Sequence, residues 1–140
     1  MKKLLNIIAR VKKAKAVGLI YNLPKQEAAL LQNKLLDRRE VLLIKGRDAY
    51  TPPMLMFRLK NIFKIKGLTI QMLPDLLDGK MILINEADML HASYNKVLEQ
   101  IKEAKIPLLL LFNNGHGIKE FRKLPVYNKI LTIEQDYLNI

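Results

Sequence analysis

The 140-residue chain is half apolar, holds no cysteine and no tryptophan, and carries two histidines and a formal net charge of +11. That is enough chain for one compact domain with a sizeable core, while the missing thiols exclude a disulfide framework, a thiolate metal site and a cysteine nucleophile. Lys and Asn interrupt every hydrophobic stretch well short of the roughly 18 to 20 residues a membrane span needs, so no spanning segment is expected.

In chain order, residues 2–13 place Leu4, Ile8 and Val11 at helical spacing among Lys2, Lys3, Arg10, Lys12 and Lys13, which predicts a basic amphipathic helix. The acid-free stretch from Met1 to Gln26 is similar in composition to a transit peptide. A strand follows at once, so the helix is read as part of the fold. That strand is Ala16 to Tyr21, and Asn22-Leu23-Pro24 turns the chain into a second helix near Lys25 to Leu36.

Val41 to Ile44 is a second apolar run, ending in Lys45-Gly46-Arg47-Asp48. Thr51 is placed to cap a third helix whose first turn takes Pro52 and Pro53 and whose apolar face is Leu55, Leu59 and Ile62. A short helical segment broken by Pro74 is expected over Ile70 to Leu77, closed by Asp78-Gly79. Met81 to Ile84 reads as the third strand, and Asn85 with Asp88 three residues on resembles a cap for a long fourth helix striped by Leu90, Tyr94, Val97, Leu98 and Ile101. Ile106 to Phe112 reads as the fourth strand. Asn113-Asn114-Gly115-His116-Gly117 is a turn, and Phe121, Leu124 and Tyr127 suggest one last short helix within a short C-terminal tail from about residue 118.

Four short, nearly continuous apolar strands separated by helices predict an α/β fold, with a largely parallel or mixed sheet of about four strands covered by helices. No internal repeat or linker divides the chain, so residues 1–140 are read as a single domain.

The charge is unevenly spread. Residues 1–67 hold 16 Lys and Arg against four acids, whereas residues 68–140 hold 8 against nine, so the basic excess belongs to the first half. A polyanion is the expected partner, and nucleic acid foremost. Binding groups gather at the carboxyl ends of strands in open α/β sheets. Tyr21, Asn22 and Lys25 follow the first strand, and Lys45, Gly46, Arg47 and Tyr50 follow the second. Lys and Arg pair with phosphates and Tyr stacks on unpaired bases. With Lys2, Lys3, Arg10, Lys12 and Lys13 of the first helix, these residues form the expected RNA-facing edge.

Enzymatic chemistry has little to start from. Val41 to Gly46 and Met81 to Asp88 superficially mimic the two motifs of a P-loop ATPase. The first has one glycine and no Gly-Lys-Ser/Thr to cradle phosphates and hold magnesium. Glu86 and Asp88 then read as a helix start, where carboxylates favour the positive end of the dipole. Ser93, the lone serine, has no evident base in register. His91 and His116 are too few and too far apart to suggest a metal site by spacing. No catalytic residue, metal or cofactor is expected.

The chain resembles the family of large-subunit ribosomal protein ten, at the base of the ribosomal stalk. The resemblance is carried by Lys13-Ala14-Lys15-Ala16-Val17-Gly18-Leu19-Ile20-Tyr21 after a basic helix, by Val41 to Arg47 at matching spacing, and by Leu76-Leu77-Asp78-Gly79-Lys80 leading into Met81 to Ile84 and Asn85-Glu86-Ala87-Asp88. It covers about residues 1–117. The family's Arg-Gly turn after the first strand is Asn22-Leu23-Pro24 here, and its Lys-Asn turn is Lys45-Gly46.

The resemblance implies a non-catalytic constituent of the large subunit that binds rRNA beside a neighbouring stalk-base protein. The chain's shortness suggests a reduced member from an organellar ribosome, located in the mitochondrial matrix. In the family a long C-terminal helix recruits acidic stalk proteins. Here Pro125 leaves room for at most about four helical turns, so poor recruitment is expected. Two alternatives stand beside this reading: a degenerate P-loop-like or clamp-loader-like domain acting in protein interactions, and another kind of nucleic-acid-binding protein.

Overall fold

A computed structural model describes residues 1–139. It shows an α/β fold with an all-parallel sheet between two helical layers. The elements are α1 (Lys2–Ala14), β1 (Val17–Tyr21), α2 (Lys25–Leu35), β2 (Val41–Lys45), α3 (Pro52–Phe63), α4 (Leu73–Leu76), β3 (Met81–Asn85), α5 (Tyr94–Glu103), β4 (Leu108–Leu111), α6 (Gly115–Arg122), α7 (Tyr127–Ile130) and β5 (Leu131–Asp136). The strand order is β2-β3-β4-β1-β5.

Both faces of the inner strands are buried, which is why their sequences are unbroken apolar runs. Alternate side chains serve opposite cores. Val17, Leu19, Ile82, Ile84, Leu108 and Leu110 join the core under α3, α4, α5, α6 and α7. Ile20, Met81, Leu83, Leu109 and Leu111 join the core under α1 and α2. The basic first helix is part of that second core: Leu4, Ile7, Ile8 and Val11 are buried, and its cationic residues point outward.

This division follows from handedness. The chain moves one way across the sheet from β1 to β2 and the opposite way through β3, β4 and β5. Parallel crossovers are right-handed, so the two directions must use opposite faces. Helix α2 therefore lies on one layer, and α3, α5, α6 and α7 lie on the other.

Several expectations are corrected. The sheet has five strands, because the segment expected as a tail from about 118 contains α6, α7 and β5, and β5 pairs with β1. Leu131-Thr-Ile-Glu-Gln-Asp136 mixes polar and apolar residues because β5 is an edge strand with one neighbour. The fourth helix does not start after Asn85. A 3-10 turn at Ala87–Met89 intervenes and α5 begins at Tyr94. The Asn85 side chain instead accepts from the Glu86 amide at 2.9 Å. Ile62 is 45% exposed, so the buried face of α3 is Leu55 and Leu59.

Tyr94, the first residue of α5, is fully buried and donates its hydroxyl to the Ala49 carbonyl at 2.5 Å. It ties α5 to the loop after β2. Burial pushes the phenol above its ordinary value. The folded state therefore holds this proton more tightly than the unfolded chain, so the contribution is complete below about pH 10 and is lost as pH rises beyond it. Tyr94→Phe should cost about 1 to 2 kcal/mol near neutrality, since the Ala49 carbonyl loses its donor. It should also flatten the alkaline decline by up to about 1.4 kcal/mol per pH unit. Urea melts at pH 7, 10 and 11 would test both effects, and an unchanged alkaline slope would contradict the assignment to Tyr94.

Candidate functional site

Strands β1 and β4 are adjacent, but the chain leaves them toward opposite faces, through α2 and α6 respectively. Such a switch point leaves a crevice beyond the carboxyl ends of the strands, the usual ligand position in open α/β sheets. A cavity of about 460 Å³ lies there, lined by Lys25, Gln32, Arg47, Asn85, Glu86, Asp88, Asn113 and Asn114 among others. Its walls come from the ends of β2, β3 and β4 and from α2.

The strand-turn-helix unit at this crevice is β1, Asn22-Leu23-Pro24 and α2. It occupies the place where a phosphate loop would sit. The segment Val41 to Gly46, compared above with a P-loop, ends at an edge strand instead. The turn after β1 has only three residues and no glycine, and its internal bonds are already committed. The Leu23 amide donates to the Phe112 carbonyl at 3.1 Å, the Leu23 carbonyl accepts from the Asn113 side chain at 3.1 Å, and the Asn22 side chain donates to Asp136 at 3.0 Å. Asn22 itself has a left-handed backbone at φ 59°. The turn therefore lacks the glycine-lined loop with which a P-loop wraps phosphates, and only the uncapped first amides of α2 face outward beyond it.

Across the crevice, the Asp88 carboxylate accepts the Asn113 amide at 2.8 Å and the Asn114 amide at 3.3 Å. Asp88 thus holds the turn after β4, and Asn114 then caps α6 by accepting the Gly117 amide at 2.8 Å. An aspartate oriented by two backbone donors is a structural clamp. Glu86 has no side-chain hydrogen bond among the described residues, and its backbone is left-handed at φ 57° because the chain turns sharply off β3.

The expected RNA-facing residues do not form one surface. Lys25 and Arg47 line the switch-point cavity, and Lys45 lines a neighbouring one with Asp48 and Arg58. Helix α1 runs antiparallel to β1, so Lys2 and Lys3 sit toward this carboxyl end. Arg10 is exposed in the third turn, and Lys12 and Lys13 lie about 15 Å from Lys2 and Lys3 along the axis, at the opposite end of the sheet. Tyr21 is not open for stacking, because the Arg122 guanidinium lies over its ring at 4.8 Å. Arg122 is held there by Glu134 at 3.1 Å and by Tyr127 at 3.3 Å. Gly46 is buried against the Glu86 backbone. Tyr50 is 45% exposed, with its ring 5.5 Å from that of His91.

Two arrangements were not legible in the sequence. His91 and His116 converge on one cavity of about 320 Å³ with Asp88 and Glu120. Among the described residues, no group of three or more potential ligands comes close enough to hold a metal. Ser93 does have a histidine beside it, with His91 Nδ1 2.9 Å from its hydroxyl and 3.0 Å from its amide. Both residues are exposed and two positions apart, which marks a local turn closure with no third group orienting the ring. No family model matches the chain, and no curated protein matches it.

Proposed function

We propose that this chain is a catalytically silent P-loop-like domain of the clamp-loader kind, acting through protein contacts. The observation that carries this reading is the switch-point crevice, where a strand-turn-helix unit faces the acid-bearing end of β3 across one intervening strand, while the turn has no glycine and no Gly-Lys-Ser/Thr and Asp88 accepts two backbone amides. The layout is an analogy of architecture with P-loop ATPases in which a strand separates the phosphate-loop strand from the magnesium-binding strand. Exposed apolar side chains on α3, Met54, Phe57 and Ile62, supply a surface suited to a protein partner.

Calorimetry with ATP or GTP and magnesium tests the silence of the site. The expected result is no saturable binding tighter than about 100 μM. Tighter, stoichiometric binding would overturn the reading.

The concentration of positive charge in residues 1–67 favours a second reading, a non-catalytic rRNA-binding constituent of the large ribosomal subunit. Co-migration with that subunit in a gradient at moderate salt would favour it over the first.

A further inference from the structure

At the amino end of the sheet, opposite the crevice, five lysines converge on one depression of about 400 Å³: Lys12, Lys13, Lys15, Lys80 and Lys105. They come from α1, the turn into β1, the turn into β3 and the turn into β4. One acid, Asp78, lines the same depression, and none of the five lysines forms an ion pair among the described residues. The carboxyl end is different, because Lys25 and Arg47 there share their cavity with Glu86 and Asp88.

Lysines at helix ends also have a simpler use. Lys12 and Lys13 lie in the last turn of α1 and Lys105 follows α5, where cations offset the negative end of the helix dipole. Lys80 does not fit that explanation, since α4 ended at Leu76. The lining adds a second feature: Pro74, Leu77, Ala104 and Pro107 are apolar among the lysines. Cations beside apolar lining suit a strand that presents phosphates and flat sugar and base surfaces together.

We propose that the amino end of the sheet is a nucleic-acid site, in which these lysines contact successive phosphates of one strand and the apolar lining meets its sugars or bases. The proposal is independent of whether the crevice is silent.

The test is fluorescence anisotropy of the full chain with labelled single-stranded DNA, duplex DNA and structured RNA across a salt series. Lys12→Gln, Lys13→Gln, Lys80→Gln and Lys105→Gln combined should weaken binding to the preferred form at least about thirtyfold at 100 mM salt and lower the salt slope by roughly three units, at about 0.7 to 0.9 per lost contact. The matched set Lys2→Gln, Lys3→Gln, Lys25→Gln and Arg47→Gln should change affinity less than about threefold. The double variant Lys80→Gln/Lys105→Gln, confined to turns, guards against a folding defect and should lose at least about fivefold, with a melting temperature lowered by no more than the helix-end role of Lys105 accounts for. Equal losses in both quadruple sets would overturn the proposal, since binding would then follow net charge. So would a lowered melting temperature with unaltered binding, which would leave only the helix-end role, or tighter binding of polyglutamate than of any nucleic acid.

Discussion

Gly46→Ala should destabilise the protein by about 3 kcal/mol or more, at the upper end of what overpacking costs. Gly46 opens the 3-10 turn at Gly46–Asp48 just after β2, and a methyl group there would lie 2.8 Å from the Glu86 carbonyl carbon and closer still to its oxygen. The obstruction is backbone, so no rotamer change relieves it. Nor can Glu86 move easily. It is already left-handed at φ 57°, and its carbonyl accepts the Met89 amide at 3.0 Å. The two loops are also joined by the His91 amide on the Tyr50 carbonyl at 2.9 Å and by Tyr94 on Ala49. A shift at Gly46 would therefore strain all of these bonds. Urea denaturation should show a lower midpoint with an unchanged slope. A loss below about 1 kcal/mol would mean that the loops separate freely.

Asp88→Ala should cost roughly 2 to 4 kcal/mol, because it strands two backbone donors and removes charge-assisted bonds. The Asn113 and Asn114 amides lose their acceptor at the turn leading into α6. A void also opens beside Gly117, whose α-carbon packs so closely that an added methyl would lie 2.7 Å from the Asp88 β-carbon. Asp88→Asn should lose about half as much, since a neutral oxygen still accepts. Glu86→Gln, at a side chain with no bonded partner, should stay within about 0.5 kcal/mol of the parent. Thermal melts would rank the three, and faster hydrogen exchange at the Asn113 and Asn114 amides would localise the Asp88 effect. If removing Asp88 instead raised stability, its charge would be an unsatisfied burden held for ligand binding, and the silent-site reading would fail.

These two positions illustrate what a linear reading can reach. Asp88 was visible as an acid after an apolar strand, and the helix-start role was the natural local inference. Its actual partners lie 25 and 26 residues away on the far side of β4, and no spacing rule encodes a contact made by strand neighbours. Gly46 is legible as a turn residue, but the close approach of another backbone depends on β2 pairing with β3. Tyr21 resembled a stacking surface until α6 placed Arg122 over it.

The fold class and strands β1 to β4 were determined by the sequence itself, because inner strands buried on both faces must be apolar at every position, β2 is an apolar run as well, and the helices between them must carry one apolar stripe. The helix start after Pro24 and the amphipathic face of α1 were legible for the same local reasons. Tertiary structure alone decided the rest. β5 is a half-solvated edge whose pattern is too weak to register without β1 beside it. The strand order, which depends on which crossover takes which face, moved the crevice to the end of β1. It also split the basic residues between the two ends of the sheet and drew Lys80 and Lys105, from the nominally neutral half of the chain, into a depression with three lysines of the first half. Charge can be counted along a chain, but the field it makes depends on where folding places it.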